Sequence, residues 1–354
     1  MIKRLEELIN EAIKDGAFPG ANYCLVADKD YFGSLGEVSH IEKVPNKLDT
    51  IYDLASVSKV VGTVTSIMLL LEQGKLRLYD SVASYLPRFR HKNITVWDLV
   101  THTSGLKADV IAARTIKSKE ELLNQIYQAD PVYPKNSKIV YTDIGFMLLG
   151  FVIEAVAGTS LDKFAHENIF KPLKMVDTSY NSDQLDRTAP TELREDEFYN
   201  GYLRGRVHDE KGFILGGVAG HAGVFSTVKD LNNFIKMILN DGVFEGKQFL
   251  SKASIDLLYT PQVEEVNGIS KNNEIRTIGW IMGGDYPSCG DLASKNTIHH
   301  TGFTGTNIFI DRDNKIGFAM LTNRVHPTRD NVKIIPFRAK LGNYIISHFK
   351  GYKG

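Results

Sequence analysis

Ser56-Val57-Ser58-Lys59 stands where a strand-and-loop pattern gives way to a mostly apolar stretch, Val57 to Glu72, that closes at Gly74. The pattern predicts a buried helix over that stretch, with Gly74 as the left-handed residue that commonly ends one. Residues three apart share a helical face, so Ser56 and Lys59 project together. Ser56 falls at the helix N-terminus, where free backbone N–H groups and the helix dipole favour developing negative charge. Lys59 sits among Val57, Val60, Val61, Val64, Ile67 and Met68, and lost hydration there favours its neutral amine. A neutral amine beside a hydroxyl is a base beside a nucleophile. Ser58 is the next hydroxyl along, but it points ~200° around the helix from Ser56. On its own, the tetrapeptide is more simply read as a capping serine followed by a solvated lysine.

Outward from this helix the chain reads as strands, then helices, then strands again. Ile2, Leu5, Leu8, Ile9, Ala12 and Ile13 recur at helical spacing, which predicts a first amphipathic helix. Ala21–Val26 and Tyr31–Val38 read as a hairpin. From about Tyr79 to Phe170 the pattern is short helices separated by Pro87, Pro131, Pro134 and Gly158. Asn181–Asp209 reads as loops, and Gly216–Gly223 as a turn-rich segment of close approach. Thr227 precedes a periodic helix through Leu239. Thr277–Met282, Thr306–Asp311 and Ile316–Thr322 read as strands, and a last helix spans about Pro336–Phe349. The expected fold is α+β: an antiparallel sheet flanked by the N- and C-terminal helices, with an all-helical region. The expected division is a discontinuous sheet domain, 1–75 and 210–354, interrupted by a mainly helical domain, 76–209.

Composition narrows the chemistry. In 354 residues, Lys+Arg and Asp+Glu are both 42, so the formal net charge is zero, which argues against a nucleic-acid or anionic-membrane partner. The two cysteines, Cys24 and Cys289, make neither a disulfide framework nor a cysteine zinc cluster. No GxGxxG or GxxxxGK[ST] cradle is present, so no nucleotide cofactor is expected. His166-Glu167 lacks the second histidine of a zincin, and there is no GxSxG elbow. No cofactor or metal is expected. The apolar runs fall short of the ~20 residues of a membrane span. The charged first helix does not read as a signal peptide, so the sequence as it stands points to a chain that is not exported.

Four further segments accompany the tetrapeptide in order: Leu99-Val100-Thr101-His102-Thr103-Ser104-Gly105-Leu106, Tyr141-Thr142-Asp143, Gly220-His221-Ala222-Gly223-Val224-Phe225-Ser226-Thr227 and His300-Thr301-Gly302. Together they resemble the SxxK, YxN and KTG or HTG elements, with two family segments, of the serine β-lactamase and penicillin-binding-protein superfamily. The resemblance is to its class C β-lactamase and D-alanyl-D-alanine carboxypeptidase-like branch, and it spans about residues 17 to 330. It implies that Ser56 is acylated, that Lys59 and Tyr141 share proton transfer, and that backbone N–H groups of Ser56 and Phe303 form an oxyanion hole. It also implies that Asp143, His300, Thr301, Gly302 and Phe303 bind substrate, His300-Thr301-Gly302 lining an edge strand. The implied substrates are small molecules or peptides: a β-lactam, a D-amino-acid peptide or an ester.

Two positions depart from the family pattern. Asp143 replaces an asparagine, exchanging a donor amide for an acceptor-only carboxylate. His300 replaces the lysine of β-lactamases, removing a permanent cation. These departures predict a poor β-lactamase that handles neutral esters or amides better than penicillins. The alternative expectation is a sensor or scaffold acylated once without turnover. His102 and His221 are read as structural, His208 and Asp209 as a solvated loop, and Trp97 and Trp280 as core.

Overall fold

A computed structural model describes residues 1–111, 113–265, 273–285 and 287–353 of the chain. Its centre is a nine-stranded antiparallel sheet. In chain order the strands are β1 (Gly20–Val26), β2 (Asp30–Ser39), β3 (Val44–Pro45), β4 (Val263–Glu265), β5 (Glu274–Arg276), β6 (Ile281–Gly284), β7 (Thr297–Thr301), β8 (Asn307–Asp311) and β9 (Ile316–Thr322). Their spatial order is β4-β5-β6-β7-β8-β9-β1-β2-β3.

β1 shows why the sheet is covered twice. Successive side chains of a strand point to opposite faces, yet every residue of β1 is buried. Tyr23 and Leu25 pack with Leu5 and Ile9 of α1 (Ile2–Lys14) and with Leu341 and Ile345 of the C-terminal helix, Ile334–His348. Cys24 and Val26 face the opposite core, shared with the Ser56 segment and with Phe234 and Ile238 of the helix Val228–Leu239. Full burial of each such aliphatic or aromatic side chain is worth about 1.5–3 kcal/mol, so neither face can be left to water.

The Ser56 segment is not one regular α-helix. It begins with a 3₁₀ turn at Ala55–Val57, continues as a π-helical stretch over Lys59–Val64, and becomes α-helical only at Thr65–Glu72. Wide turns of this kind concentrate at functional sites. By length and composition Ala55–Glu72 could cross a membrane, but 83% of it is buried inside the protein, as befits a central core helix.

Two glycines set how closely the layers approach. The Asp143–Ala157 helix lies against the Gly216–Gly223 segment, and a Cβ on Gly220 would meet Phe146 O at 2.0 Å. Gly220→Ala is therefore expected to cost about 3 kcal/mol by overpacking against fixed backbone. A thermal unfolding midpoint equal to that of the parent would contradict this packing. Gly279, with φ +75°, turns the chain between β5 and β6 against Val64.

That turn corrects one expectation: Thr277–Met282 is not a continuous strand, because the chain reverses at Gly279 before β6 begins. The expected loop Asn181–Asp209 also contains a short hairpin, Leu193–Glu195 with Asn200–Tyr202. β7 is not an edge strand either, although it meets β6 through the single pair Ile281–His299. His300 and Thr301 thus lie beyond that pairing.

Candidate active site

The Ser56 turn is tied directly to the loop after β7. Ala55 adopts φ +47°, which an L-residue holds only when its surroundings over-determine it. Here they do so. Ala55 N–H donates to Asp53 Oδ1 at 2.8 Å, while Thr304 and Thr306 hydroxyls donate to Asp53 O and Leu54 O, both at 2.8 Å. A Cβ on Gly302 would lie 2.4 Å from Leu54 O, so glycine permits this contact. Buried Arg338 secures the same loop by donating to Gly302 O and Thr306 O. Ser58 is committed elsewhere, its Oγ accepting from Val224 N at 3.0 Å.

Lys59 is completely buried. Its three ammonium hydrogens have three acceptors: Asp143 Oδ1 at 2.8 Å, His221 O at 3.0 Å and Ser56 Oγ at 3.1 Å. Burial alone would push its pKa down, but Asp143, followed by Tyr141, outweighs burial and raises it. The expectation of a neutral resting lysine is therefore corrected: desolvation is present, but a carboxylate in direct contact keeps the ammonium charged. Asp143 is the first residue of its helix, where the dipole favours a carboxylate. Burial opposes its ionisation; Lys59, His221 and Lys211 together hold its pKa below the ordinary value.

Tyr141 stands over this pair, its ring centroid 4.8 Å from Lys59 Nζ, and is 36% exposed. Behind it lie two buried imidazoles. His102 accepts from Thr142 N–H at Nδ1, 3.0 Å away, which leaves its proton on Nε2. His300 Nδ1 faces Thr301 O at 3.0 Å and carries its proton there. Desolvation, then the nearby Arg276 and Lys59 charges, push both histidines well below their ordinary pKa. Both are neutral at pH 7. Arg276, almost fully buried on β5, has its guanidinium 5.5 Å from the Tyr141 ring centre and pairs with Glu274. Sequence reasoning missed this cation, since one arginine in a mixed-charge strand gives no signal of where it points.

In front of Ser56 a cavity of about 260 Å³ is lined by Tyr141, Asp143, His208, Asp209, Lys211, His221 and Phe303, among others. His208 and Asp209 are thus part of the cleft wall, correcting the solvated-loop expectation. His208 packs on the half-exposed Phe303 ring with centroids 5.7 Å apart, and its Nε2 meets Glu192 at 3.1 Å. Arg324 donates to Phe303 O at 2.7 Å. Asp209 accepts from His221 Nε2 at 2.7 Å, and Lys211 contacts Asp109, Asp209 and Asp143 at 2.8, 2.9 and 3.4 Å. Asp143, Asp209 and His221 bring potential ligand atoms within 4.8 Å of one another. Two lysines already occupy those carboxylates, so the group reads as an ion-pair network. Trp280 is core as expected, whereas Trp97 is only partly buried and donates to Gln262 at 3.0 Å.

The site and fold can now be set against known proteins. The Beta-lactamase family model matches residues 5–343. The chain belongs to the beta-lactamase family. It is similar, at 31% identity across 94% of this chain and 84% of the relative, to an Escherichia coli O157:H7 protein named for D-alanyl-D-alanine carboxypeptidase activity. It is 29% identical, over 92% of this chain and 81% of the relative, to an N-acetylmuramyl-L-alanine amidase of Bacillus subtilis strain 168. A solved class C beta-lactamase shares the fold with TM-score 0.76 at 21% identity, covering 99% of this chain and 96% of that one. This beta-lactamase-family chain is accordingly a serine hydrolase of small-molecule or peptide substrates, built on the α+β fold expected from the sequence.

Proposed function

We propose that this chain is an acyl-enzyme amidohydrolase of D-alanyl carboxypeptidase type, with Ser56 as nucleophile. The observation that carries the reading is the Lys59 ammonium 3.1 Å from Ser56 Oγ, beside Tyr141 and Asp143, in a cavity open to substrate. Ser56 Oγ attacks the scissile carbonyl, and the N–H groups of Ser56 and Phe303 receive the oxyanion. Lys59 rests as an ammonium that donates to Oγ, so acylation proceeds from the form of the Lys59–Tyr141 pair that has first released one proton to solvent, and that pair then accepts the Ser56 proton as a unit. Tyr141 then returns a proton to the departing amine. Water attacks the ester, releasing the acid and restoring Ser56.

The charges around the cleft decide how well a substrate with a carboxylate on its leaving group is received. Asp143, which the sequence presents as an extra anion, is neutralised by Lys59 and Lys211. Arg276 places a permanent cation behind Tyr141 and His300, but its guanidinium is paired with Glu274 and it is not among the residues that line the cavity. Asp143, so neutralised, adds no net repulsion for a substrate carboxylate, while neutral His300 adds no full charge to attract one, so the expected preference for neutral esters rests on His300 alone. A fixed cation near a carboxylate, at an effective dielectric near 20, is worth on the order of a few kcal/mol. Because Glu274 offsets most of the Arg276 charge, Arg276→Gln should raise KM only about a few-fold for a peptide ending in D-Ala-D-Ala, with little effect on a p-nitrophenyl ester. Equal losses on both would contradict a carboxylate-recognition role. Steady release of D-alanine from the peptide tests the activity itself. A single acylation without release would identify a sensor, and cleavage of a muramyl-L-alanine amide instead would move the reading to the amidase.

A further inference from the structure

We infer that Lys211 is a positioning residue for Lys59, acting through Asp143; the inference rests on the acyl-enzyme reading above. Asp143 is shared between two ammonium groups: Oδ1 meets Lys59 at 2.8 Å and Oδ2 faces Lys211 at 3.4 Å. Lys211 is itself buried, its side chain only 4% exposed, and is held by Asp109 at 2.8 Å and Asp209 at 2.9 Å. Asp209 is fixed in turn by Gly212 N–H at 2.8 Å and His221 Nε2 at 2.7 Å. His221 closes the circuit, because its carbonyl accepts from Lys59. Each charged member therefore has its orientation set by another.

The arrangement has two consequences. Lys211 keeps the Asp143 carboxylate turned between the lysines, so that one oxygen remains on Lys59 while Lys59 remains on Ser56. Lys211 also places a second positive charge near Lys59, which weakens the hold of the surrounding carboxylates on the Lys59 proton. Without it, Asp143 would meet Lys59 alone, and Asp109 and Asp209 would lose the cation they share. The other titratable or charged groups around Lys59 are Tyr141, His102, His221, His300 and, farther out, Arg276.

The test follows the pH dependence of the Ser56 acylation rate with a fluorescent penicillin and an activated ester, in the whole protein. Lys211→Gln should slow acylation ten- to a hundredfold near pH 7, with little change in the apparent binding constant. It should also move the acid limb upward by about one pH unit. Lys211→Arg, which keeps the charge, should recover most of the rate. Asp109→Asn removes an anion that touches Lys211 from the 43%-exposed rim, and should move the limb in the opposite direction. A structural role alone would lower the unfolding midpoint without moving either limb, and that result would overturn the inference. So would a weakened binding constant at unchanged maximal rate, which would make Lys211 a substrate ligand. An unmodified protein that is not acylated at all would refute the acyl-enzyme reading and this inference with it, whereas normal acylation with unshifted variants refutes the inference alone.

Discussion

Ser56→Ala should abolish covalent chemistry, with turnover of any ester or peptide substrate falling by about four orders of magnitude or more. Nucleophile loss in triad-type enzymes leaves only binding and oxyanion stabilisation to accelerate the reaction. Ser58 is the nearest other hydroxyl in the sequence, and its Oγ is spent on Val224 N–H in the protein core. Folding should be unaffected, since Ser56 lines the cavity rather than the core. Steady-state assays with a matched unfolding curve check this. A Ser56→Ala protein that keeps a tenth of the parental rate would show that the nucleophile lies elsewhere.

The second large effect concerns Lys59 and Tyr141. Each single change, Lys59→Ala or Tyr141→Phe, should cost about 10²–10⁴ in kcat/KM, the usual range for a proton-transfer group. The double variant should be scarcely worse than the poorer single one, because the proposed mechanism has both groups serve one proton path. Lys59→Ala carries an extra penalty in stability: it removes the nearer of the two cations on the part-buried Asp143 carboxylate and leaves only Lys211, at 3.4 Å. Lys59→Arg retains the charge and separates folding from catalysis. Losses that multiply fully in the double variant would mean that the two residues act independently.

Much of this molecule was legible in its sequence, for identifiable reasons. The helices at both chain ends carry one apolar face each, and helical periodicity reveals that face. β1, β8 and β9 are bounded by glycine or polar turns. The Ser56-Val57-Ser58-Lys59 spacing places two side chains together by local geometry alone, and the structure does bring Ser56, Lys59, Tyr141 and Asp143 into one cluster. Thr301, Gly302 and Phe303 join it through the contact of Gly302 with Leu54 O.

What local pattern could not show was long-range charge pairing. Lysine in an apolar helix reads as desolvated and neutral until Asp143, 84 residues away, is seen 2.8 Å from it. Asp143 reads as an extra anion unless Lys59 or another group compensates it, and the sequence does not point to Lys211 as the cation on its other oxygen. His208 and Asp209 read as a solvated loop, because polar and charged residues are the ordinary mark of surface. Only the fold of the Gly216–Gly223 segment against the Asp143–Ala157 helix brings His221 beside that loop.

The most direct test of the account is peptide mapping of the unmodified protein after acylation by a mechanism-based penicillin or phosphonate. A single covalent adduct per chain is expected, carried by the peptide that contains Ser56 and localised to its Oγ. An adduct on Ser58, Tyr141 or any residue outside this cluster, or acylation that is unchanged in Ser56→Ala, would contradict it.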